Sequence, residues 1–137
     1  MIRVLDEQAC LDLVRAQTVG RLGFVADGRV QVIPVNYLVD GHAVVIRTAA
    51  GGVLTRVSAE TAEVAFEVDH HDNVGGHGWS VLMNGPLTPM TEAEMAAVEG
   101  GGRVLPWAGS ERTLPLRFAI ASVTGRHVVR VRNRPLP

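Results

Sequence analysis

The sequence predicts a mainly β, antiparallel protein with short helices, built as a small barrel or an α+β roll. Two Asp-Gly pairs, Asp27-Gly28 and Asp40-Gly41, separate apolar runs, as in tight hairpin turns that need positive φ. Later runs alternate apolar and polar residues with the period of two of a half-buried strand. Antiparallel hairpins with interspersed helices exclude a doubly wound parallel sheet.

The first predicted element is an amphipathic helix that is capped by Asp6 and ends before Gly20. Cys10 and Val14 recur on its apolar face, and the lone Cys10 is interpreted as a small buried hydrophobe rather than a reactive thiol. From residue 21 to residue 48 the two Asp-Gly turns predict a three-stranded antiparallel meander.

The second half of the chain continues the same alternation. Gly51-Gly52 opens a predicted helix that ends near Ala59. Strands are predicted over 64–68 and 79–87, separated by a polar loop over 69–78, and over 114–120 and 123–132. Between the second and third of these strands, Thr91 and Glu94 cap a helix whose hydrophobic staple is Met90 with Met95. About seven strands and three short helices result, without internal repeats.

Composition restricts the class of protein. The 137 residues are expected to form one domain over 1–137, and 47% apolar with 20% charged residues is ordinary for a globular protein. A net charge of −1 predicts neither nucleic-acid nor membrane-surface binding, and no apolar run approaches the roughly 20 residues that span a bilayer. The single cysteine favours a reducing, cytoplasmic location. All basic residues are arginine, which excludes lysine Schiff-base chemistry.

Three histidines, His70, His71 and His77, lie beside Asp69 and Asp72 and raise a metal or haem hypothesis. Adjacent histidines on extended chain point to opposite sides, and the glycine-rich stretch offers no fixed ligand geometry. The pattern therefore favours a solvated loop or contact with the edge of a substrate or cofactor, and no metal is predicted.

Arg130, Arg132 and Arg134 fall at a spacing of two, so on a strand they would share one face. Such a face could grip a phosphate chain, but the sequence has few aromatic residues for stacking on bases. A solvated strand edge that its charges protect from pairing is the favoured interpretation.

Seven segments, taken together, resemble a known family over nearly the whole chain. They are Val19-Gly20-Arg21-Leu22-Gly23-Phe24, Ile33-Pro34-Val35-Asn36-Tyr37, Ile46-Arg47-Thr48-Ala49 with the following glycine pair, Phe66-Glu67-Val68-Asp69, Gly78-Trp79-Ser80-Val81, Pro106-Trp107-Ala108 and Thr124-Gly125-Arg126. In this order they resemble the flavin-binding split barrels related to pyridoxamine 5′-phosphate oxidase, in particular the branch that includes nitroimidazole-reductase-like proteins.

The resemblance implies an antiparallel split β-barrel that forms a homodimer with two cofactor sites, each lined by both chains. It implies FMN as the cofactor, with a deazaflavin coenzyme as the alternative. The implied cofactor-binding residues are Pro34, Val35, Asn36 and Tyr37 along the flavin ring, Arg47, Thr48, Ala49, Gly52, Val53 and Leu54 at the ribityl chain and phosphate, and Trp79 and Trp107 closing the site across the dimer.

Physical arguments bear on the phosphate end of this site. A helix opened by Gly51-Gly52 leaves backbone N–H groups unpaired for an anion, and Arg47 and Arg56 could add charge-assisted contacts; a plain helix start with solvated arginines is the alternative. The family commonly has lysine or arginine after the glycine pair, where this chain has Val53. Losing that charge costs about 1–3 kcal/mol of phosphate binding.

The function that the resemblance implies is that of an oxidoreductase acting on a small organic acceptor. The cofactor would carry the electron chemistry, so no side chain need act as nucleophile. No counterpart is found for the substrate-phosphate arginine and histidine of true pyridoxamine-phosphate oxidases. Tyr37 could donate a proton or serve only as a hydrogen-bonded strand residue. The alternatives are a non-catalytic carrier of a flavin or haem-type ligand and a structural dimer with an empty site.

Overall fold

Nine strands and three α-helices form the structure of residues 1–104 and 112–129, which the computed structural model describes. The strands are β1 (Ile2–Leu5), β2 (Val19–Ala26), β3 (Arg29–Asn36), β4 (Leu38–Asp40), β5 (Ala43–Ala49), β6 (Glu63–Asp72), β7 (His77–Pro89), β8 (Thr113–Ala119) and β9 (Ser122–Val129). The helices are α1 (Glu7–Arg15), α2 (Val53–Ala59) and α3 (Glu92–Ala97). The predicted site residue Trp107 and the alternating Arg130, Arg132 and Arg134 lie outside the described residues.

All strand pairs are antiparallel, in the order β3-β2-β6-β7-β8-β5-β4, with β9 pairing both β7 and β1. The long β7 pairs β6 along one edge, while its other edge pairs β9 over 77–84 and β8 over 87–89. Only Tyr37 separates β3 from β4, so the two ends of the strand order are joined through one residue. The predicted mainly β, antiparallel split barrel with short helices is confirmed.

The first predicted hairpin is confirmed, because β2 and β3 pair along their whole length around Asp27 and Gly28, whose φ angles are 53° and 73°. The second Asp-Gly turn joins β4 to β5, with a φ of 60° at Gly41. The prediction of a three-stranded meander is wrong for the middle strand, which breaks at the buried Tyr37. The part before the break pairs β2 and the part after it pairs β5, at opposite ends of the strand order.

The predicted polar loop over 69–78 is also wrong. Residues 69–72 extend β6, residues 77 and 78 begin β7, and only residues 73–76 form the turn. The Asp72 carboxylate holds this turn by accepting hydrogen bonds from the backbone N–H of Val74, at 3.0 Å, and of Gly75, at 2.9 Å. Cross-strand pairing thus orders a stretch that is too polar to be recognised as strand. The sequence also gave no indication of β1, which pairs β9.

The main core fills the space between the sheet and the helices α1 and α2. Its largest fully buried side chains include Leu22, Ile46, Leu54, Phe66, Met83, Leu87, Leu116 and Phe118. The alternating side chains of β6 and β7 also point into this core, namely Val64, Phe66, Val68, Val81, Met83 and Leu87. Trp79 is only partly buried against it. A second, smaller cluster contains Met90 and Met95, and the capping box of Thr91 and Glu94 forms as predicted.

Helix α1 begins as predicted, with the Asp6 carboxylate accepting from the N–H of Ala9 at 2.8 Å. Cys10 is fully buried, and burial raises the pKa of its thiol. A Cβ built on Gly125 would lie 2.4 Å from the Cys10 sulfur, so only glycine lets β9 approach α1 this closely. Among the described residues, no helix has the length and apolar character needed to cross a membrane.

Candidate functional site

The residues predicted to line a flavin ring, 34–37, lie at the end of β3 and at the break that follows it, and their side chains point alternately to the outer face and to the core. Val35 and Tyr37 are 4% and 3% exposed and belong to the core, whereas the Pro34 side chain is exposed and Asn36 is half-buried. The Tyr37 hydroxyl donates to the Val14 carbonyl, and burial raises the pKa of Tyr37. Val35 and Tyr37 can therefore offer a ligand only their backbone, and the contacts of Tyr37 support its structural interpretation.

A cleft of about 480 Å³ lies beside Pro34. Its other lining residues are Gln17, Thr18, Val19, Gly20, Arg21 and Asp69. Arg21 is the direct cross-strand neighbour of Pro34, so both side chains stand on the outer face of the β2–β3 hairpin. The sequence did not indicate this cleft, since Asp69 enters it from β6, far along the chain.

Arg21 is held by two carboxylates, of which Asp69 lines this cleft. Its guanidinium donates to Asp69 and, at 3.0 Å, to Glu67. Burial, together with the neighbouring Asp69, raises the pKa of Glu67 to about 7. The hydrogen bond that links it to Glu67 lowers the pKa of Asp69, and Arg21 lowers it further. With Glu67 ionised, two negative charges face one positive charge, and the cluster carries a net negative charge.

Glu67 should make stability depend on pH. The pKa of Glu67 is about 7 in the folded protein against 4.5 for the free side chain, so folding favours its proton-bound form. That stabilising contribution is complete below about pH 4.5 and is lost as pH rises through 7. The lowered pKa of Asp69 changes stability only at pH values below its ordinary pKa of 3.8, outside this range. We expect the Tm of the wild type to fall between pH 5 and pH 8 more than that of Glu67→Gln, as measured by thermal circular dichroism. Parallel pH profiles for the two proteins would contradict this.

The predicted anion site is the start of α2, a helix of seven residues. Gly52 caps the helix without a side-chain hydrogen bond, and its own N–H donates to the Ala49 carbonyl at 3.3 Å. The first-turn N–H groups of Val53 and Leu54 have no acceptor within the helix. The Leu54 side chain is buried in the core, while Val53 is half-buried and faces a small cleft of about 170 Å³ that Asp27 and other hairpin residues also line.

The two arginines predicted at the phosphate differ in their surroundings. Arg47 donates to both carboxylate oxygens of Glu92, at 3.0 and 2.9 Å, and its side chain is only 18% exposed. This pair raises the pKa of Arg47 and lowers that of Glu92. Arg56 lines the same small cleft as Val53, pairs with Asp27 at 3.3 Å and is 61% exposed. Arg56 is therefore the more accessible cation near the start of α2.

The predicted residues do not all meet within one chain. Strand β3 contacts β5, and α2 with its glycine-led start follows β5 along the chain. Trp79 instead lies between His70 of β6 and His127 of β9, on strands that carry none of the other predicted ligands. Of the five histidines, the sequence analysis did not consider His42 and His127.

The outer face of the sheet carries exposed apolar side chains that the sequence reasoning also missed. On the first hairpin, Val25, Val30 and Val32 are 65%, 79% and 61% exposed. Leu82 of β7 and Val4 of β1 are exposed on the same face of the sheet, and Arg21 and Glu67 lie in the row between Leu82 and the hairpin. We call the five apolar residues the outer apolar face. The sequence pattern of β3 could have indicated this face, because apolar residues occupy both sides of the strand: Val30, Val32 and Pro34 on one side and Ile33 and Val35 on the other.

The chain is similar to known proteins in both sequence and structure. Residues 6–127 match the family described as "Pyridoxamine 5'-phosphate oxidase". An uncharacterized protein of Mycobacterium tuberculosis is 34% identical over 90 residues, which are 66% of this chain and 79% of that protein. The structure of the FAD binding protein from Mycobacterium smegmatis superposes with a TM-score of 0.75 at 28% identity, over 92% of this chain and 99% of that one.

A proposed 5-nitroimidazole antibiotic resistance protein of Bacteroides thetaiotaomicron has the same fold, with a TM-score of 0.71 at 12% identity over 93% of this chain and 89% of that one. The predicted resemblance is confirmed, and flavin-binding proteins are among the structural neighbours.

Proposed function

Because this chain belongs to the pyridoxamine 5′-phosphate oxidase family, we propose that it binds a flavin at a homodimer interface and acts as an oxidoreductase on a small organic acceptor. The observation that carries the proposal is that β3 contacts β5, the strand that leads into the glycine-led start of α2, with an open cleft beside Pro34. True pyridoxamine-phosphate oxidase activity is not proposed, since the match is to the family as a whole.

The residues present fit a planar molecule with a phosphate tail. Pro34 and the backbone of residues 35–37 would border the ring, and the cleft of about 480 Å³ is in the range of small-molecule sites. The first-turn N–H groups of α2 would meet the phosphate, with Arg56 as the nearby cation. Arg47 would act indirectly, since its bond to Glu92 fixes the end of β5 next to this turn.

A bound flavin would supply hydride transfer from a reduced donor to the acceptor. The chain itself would orient the ring against β3, hold the tail at α2 and keep the reacting face dry. Arg21 and Asp69 line the cleft beside Pro34, and Glu67 pairs with the same guanidinium. Above pH 7, where Glu67 is ionised, the net negative charge of this cluster favours neutral or cationic acceptors over anionic ones.

The second copy would dock on the outer apolar face. Val25, Val30 and Val32 are neighbours on the first hairpin, and exposed apolar patches mark interaction surfaces. A twofold partner placed there would cover the valines next to Pro34 and so close the flavin site from outside. We propose a cytoplasmic location, where a buried unpaired cysteine stays reduced.

Titration with FMN, FAD and a deazaflavin coenzyme tests cofactor binding, with flavin fluorescence and thermal shift as the two measurements. A ligand at 100 times its Kd should raise stability by about 2.7 kcal/mol. Bleaching of the bound flavin by a reduced nicotinamide, followed by reoxidation with an added nitroaromatic acceptor, would support the enzyme. Binding without bleaching would favour the alternative, a flavin carrier, and no binding of any of the three would contradict both.

Val53→Lys should tighten FMN binding by about tenfold, because it adds a cation at the position where the family commonly has one and a charge-assisted contact contributes about 1–3 kcal/mol. Isothermal titration calorimetry measures the change, and a thermal melt checks that the fold is kept, since Val53 is half-buried. Val74→Lys is the matched control: it adds the same charge at the 84% exposed turn between β6 and β7 and should leave the Kd unchanged. Equal tightening in both variants would show a general charge effect and refute the assignment of the phosphate site.

A further inference from the structure

A second cavity, of about 490 Å³, lies between α1 and the ends of β6, β7 and β9. Its walls are mostly apolar, and its lining residues are Leu5, Ala9, Asp12, Leu13, His70, His77, Trp79 and His127. None of the residues that line the cleft beside Pro34 or the start of α2 is among them.

Strand register brings the rings of this cavity together. Trp79 is the direct cross-strand neighbour of His70 on β6 and of His127 on β9, so one face of three adjacent strands carries an indole flanked by two imidazoles. His77 stands two residues from Trp79 on the same face, with its ring centre 5.9 Å from that of His127. Ala9 and Leu13, one helical turn apart on α1, form the opposite wall.

We propose that this cavity binds a planar aromatic small molecule, separately from the flavin. The half-buried indole of Trp79 offers a face for stacking, and the imidazoles of His70 and His127 offer hydrogen bonds to the polar edge of a ring system. An apolar cleft of several hundred Å³ with a few converging polar groups is typical of small-molecule sites. Within the described residues no three potential metal ligands converge, so the histidines are assigned to the ligand rather than to a metal.

The five histidines allow a direct test. Titration with 1-naphthol, followed through the imidazole signals in a ¹H–¹⁵N spectrum, should shift His70, His77 and His127 saturably. His71, on the opposite face of β6, and His42, in the turn between β4 and β5, serve as internal controls and should stay in place. His127→Ala should weaken naphthol binding by about fivefold, the effect of losing one hydrogen bond, and His71→Ala should leave it unchanged.

Two results would overturn the proposal. The first is no saturable shift, or equal shifts at all five histidines, which would show non-specific contact. The second is competition between naphthol and FMN at the three histidines, which would make the cavity part of the flavin site. The proposed function is tested apart from this, since flavin binding to His127→Ala should equal that of the wild type if the two sites are separate.

Discussion

Phe66→Ala is expected to lower the free energy of unfolding by about 3–5 kcal/mol. The Phe66 ring is fully buried at the centre of the main core, where it meets the ring of Tyr37 edge-on at 5.1 Å and that of Phe118 at 5.8 Å. A Cβ on Gly20 would lie 2.6 Å from the Phe66 ring, so β2 can pack this closely against the ring only because position 20 is glycine. Alanine would leave a cavity that these neighbours cannot fill without moving the strands.

Urea denaturation followed by far-UV circular dichroism measures this loss. Val74→Ala is the control, because Val74 is 84% exposed in the turn between β6 and β7 and its truncation should change stability by less than about 0.5 kcal/mol. A loss below about 1.5 kcal/mol for Phe66→Ala would mean that the core is not packed around this ring.

The double substitution Val30→Arg and Val32→Arg is expected to convert the proposed dimer to monomers and to weaken flavin binding by at least about 100-fold. Both valines are largely exposed, so arginine at either position should leave the fold of the chain intact. In a dimer formed through the outer apolar face, four arginines would lose water without partners, which costs several kcal/mol. The flavin would then lose the covering that the second chain supplies.

Analytical ultracentrifugation and an FMN titration measure the two effects on one sample. The control adds the same charge away from the outer apolar face, through Val74→Arg and Ala121→Arg, both at exposed turn positions. That control should remain dimeric with unchanged flavin affinity. A variant with arginine at 30 and 32 that stays dimeric and binds flavin normally would show that this face is not the interface.

Much of the fold followed from local pattern. The positive φ at Asp27-Gly28 and the capping box at Thr91 are decided by a few neighbouring residues, and both were predicted. The break at Tyr37 was not, because apolar alternation continues through 29–40 and only the choice of partner strand ends β3 there. The extension of β6 to Asp72 was missed for a similar reason, since pairing with β7 rather than strand propensity orders that polar stretch.

The sequence indicated candidate site residues within short segments, whereas it did not indicate contacts between distant segments. Sequence reasoning named Pro34 and Gly52 as parts of the site, and in the structure β3 contacts β5, the strand that leads into Gly52. It did not indicate that Glu92 holds Arg47, because the two are 45 residues apart. It interpreted the histidines near 70 as a loop, since the register that brings His127 beside Trp79 depends on the last described strand.

Sedimentation velocity at saturating FMN, recorded at the flavin absorbance and at 280 nm, tests most directly whether the barrels pair around a flavin. The expected result is one boundary at both wavelengths, at about twice the chain mass of 14.7 kDa, with one flavin per chain. A boundary at the mass of one chain, or a protein boundary without flavin absorbance, would contradict it.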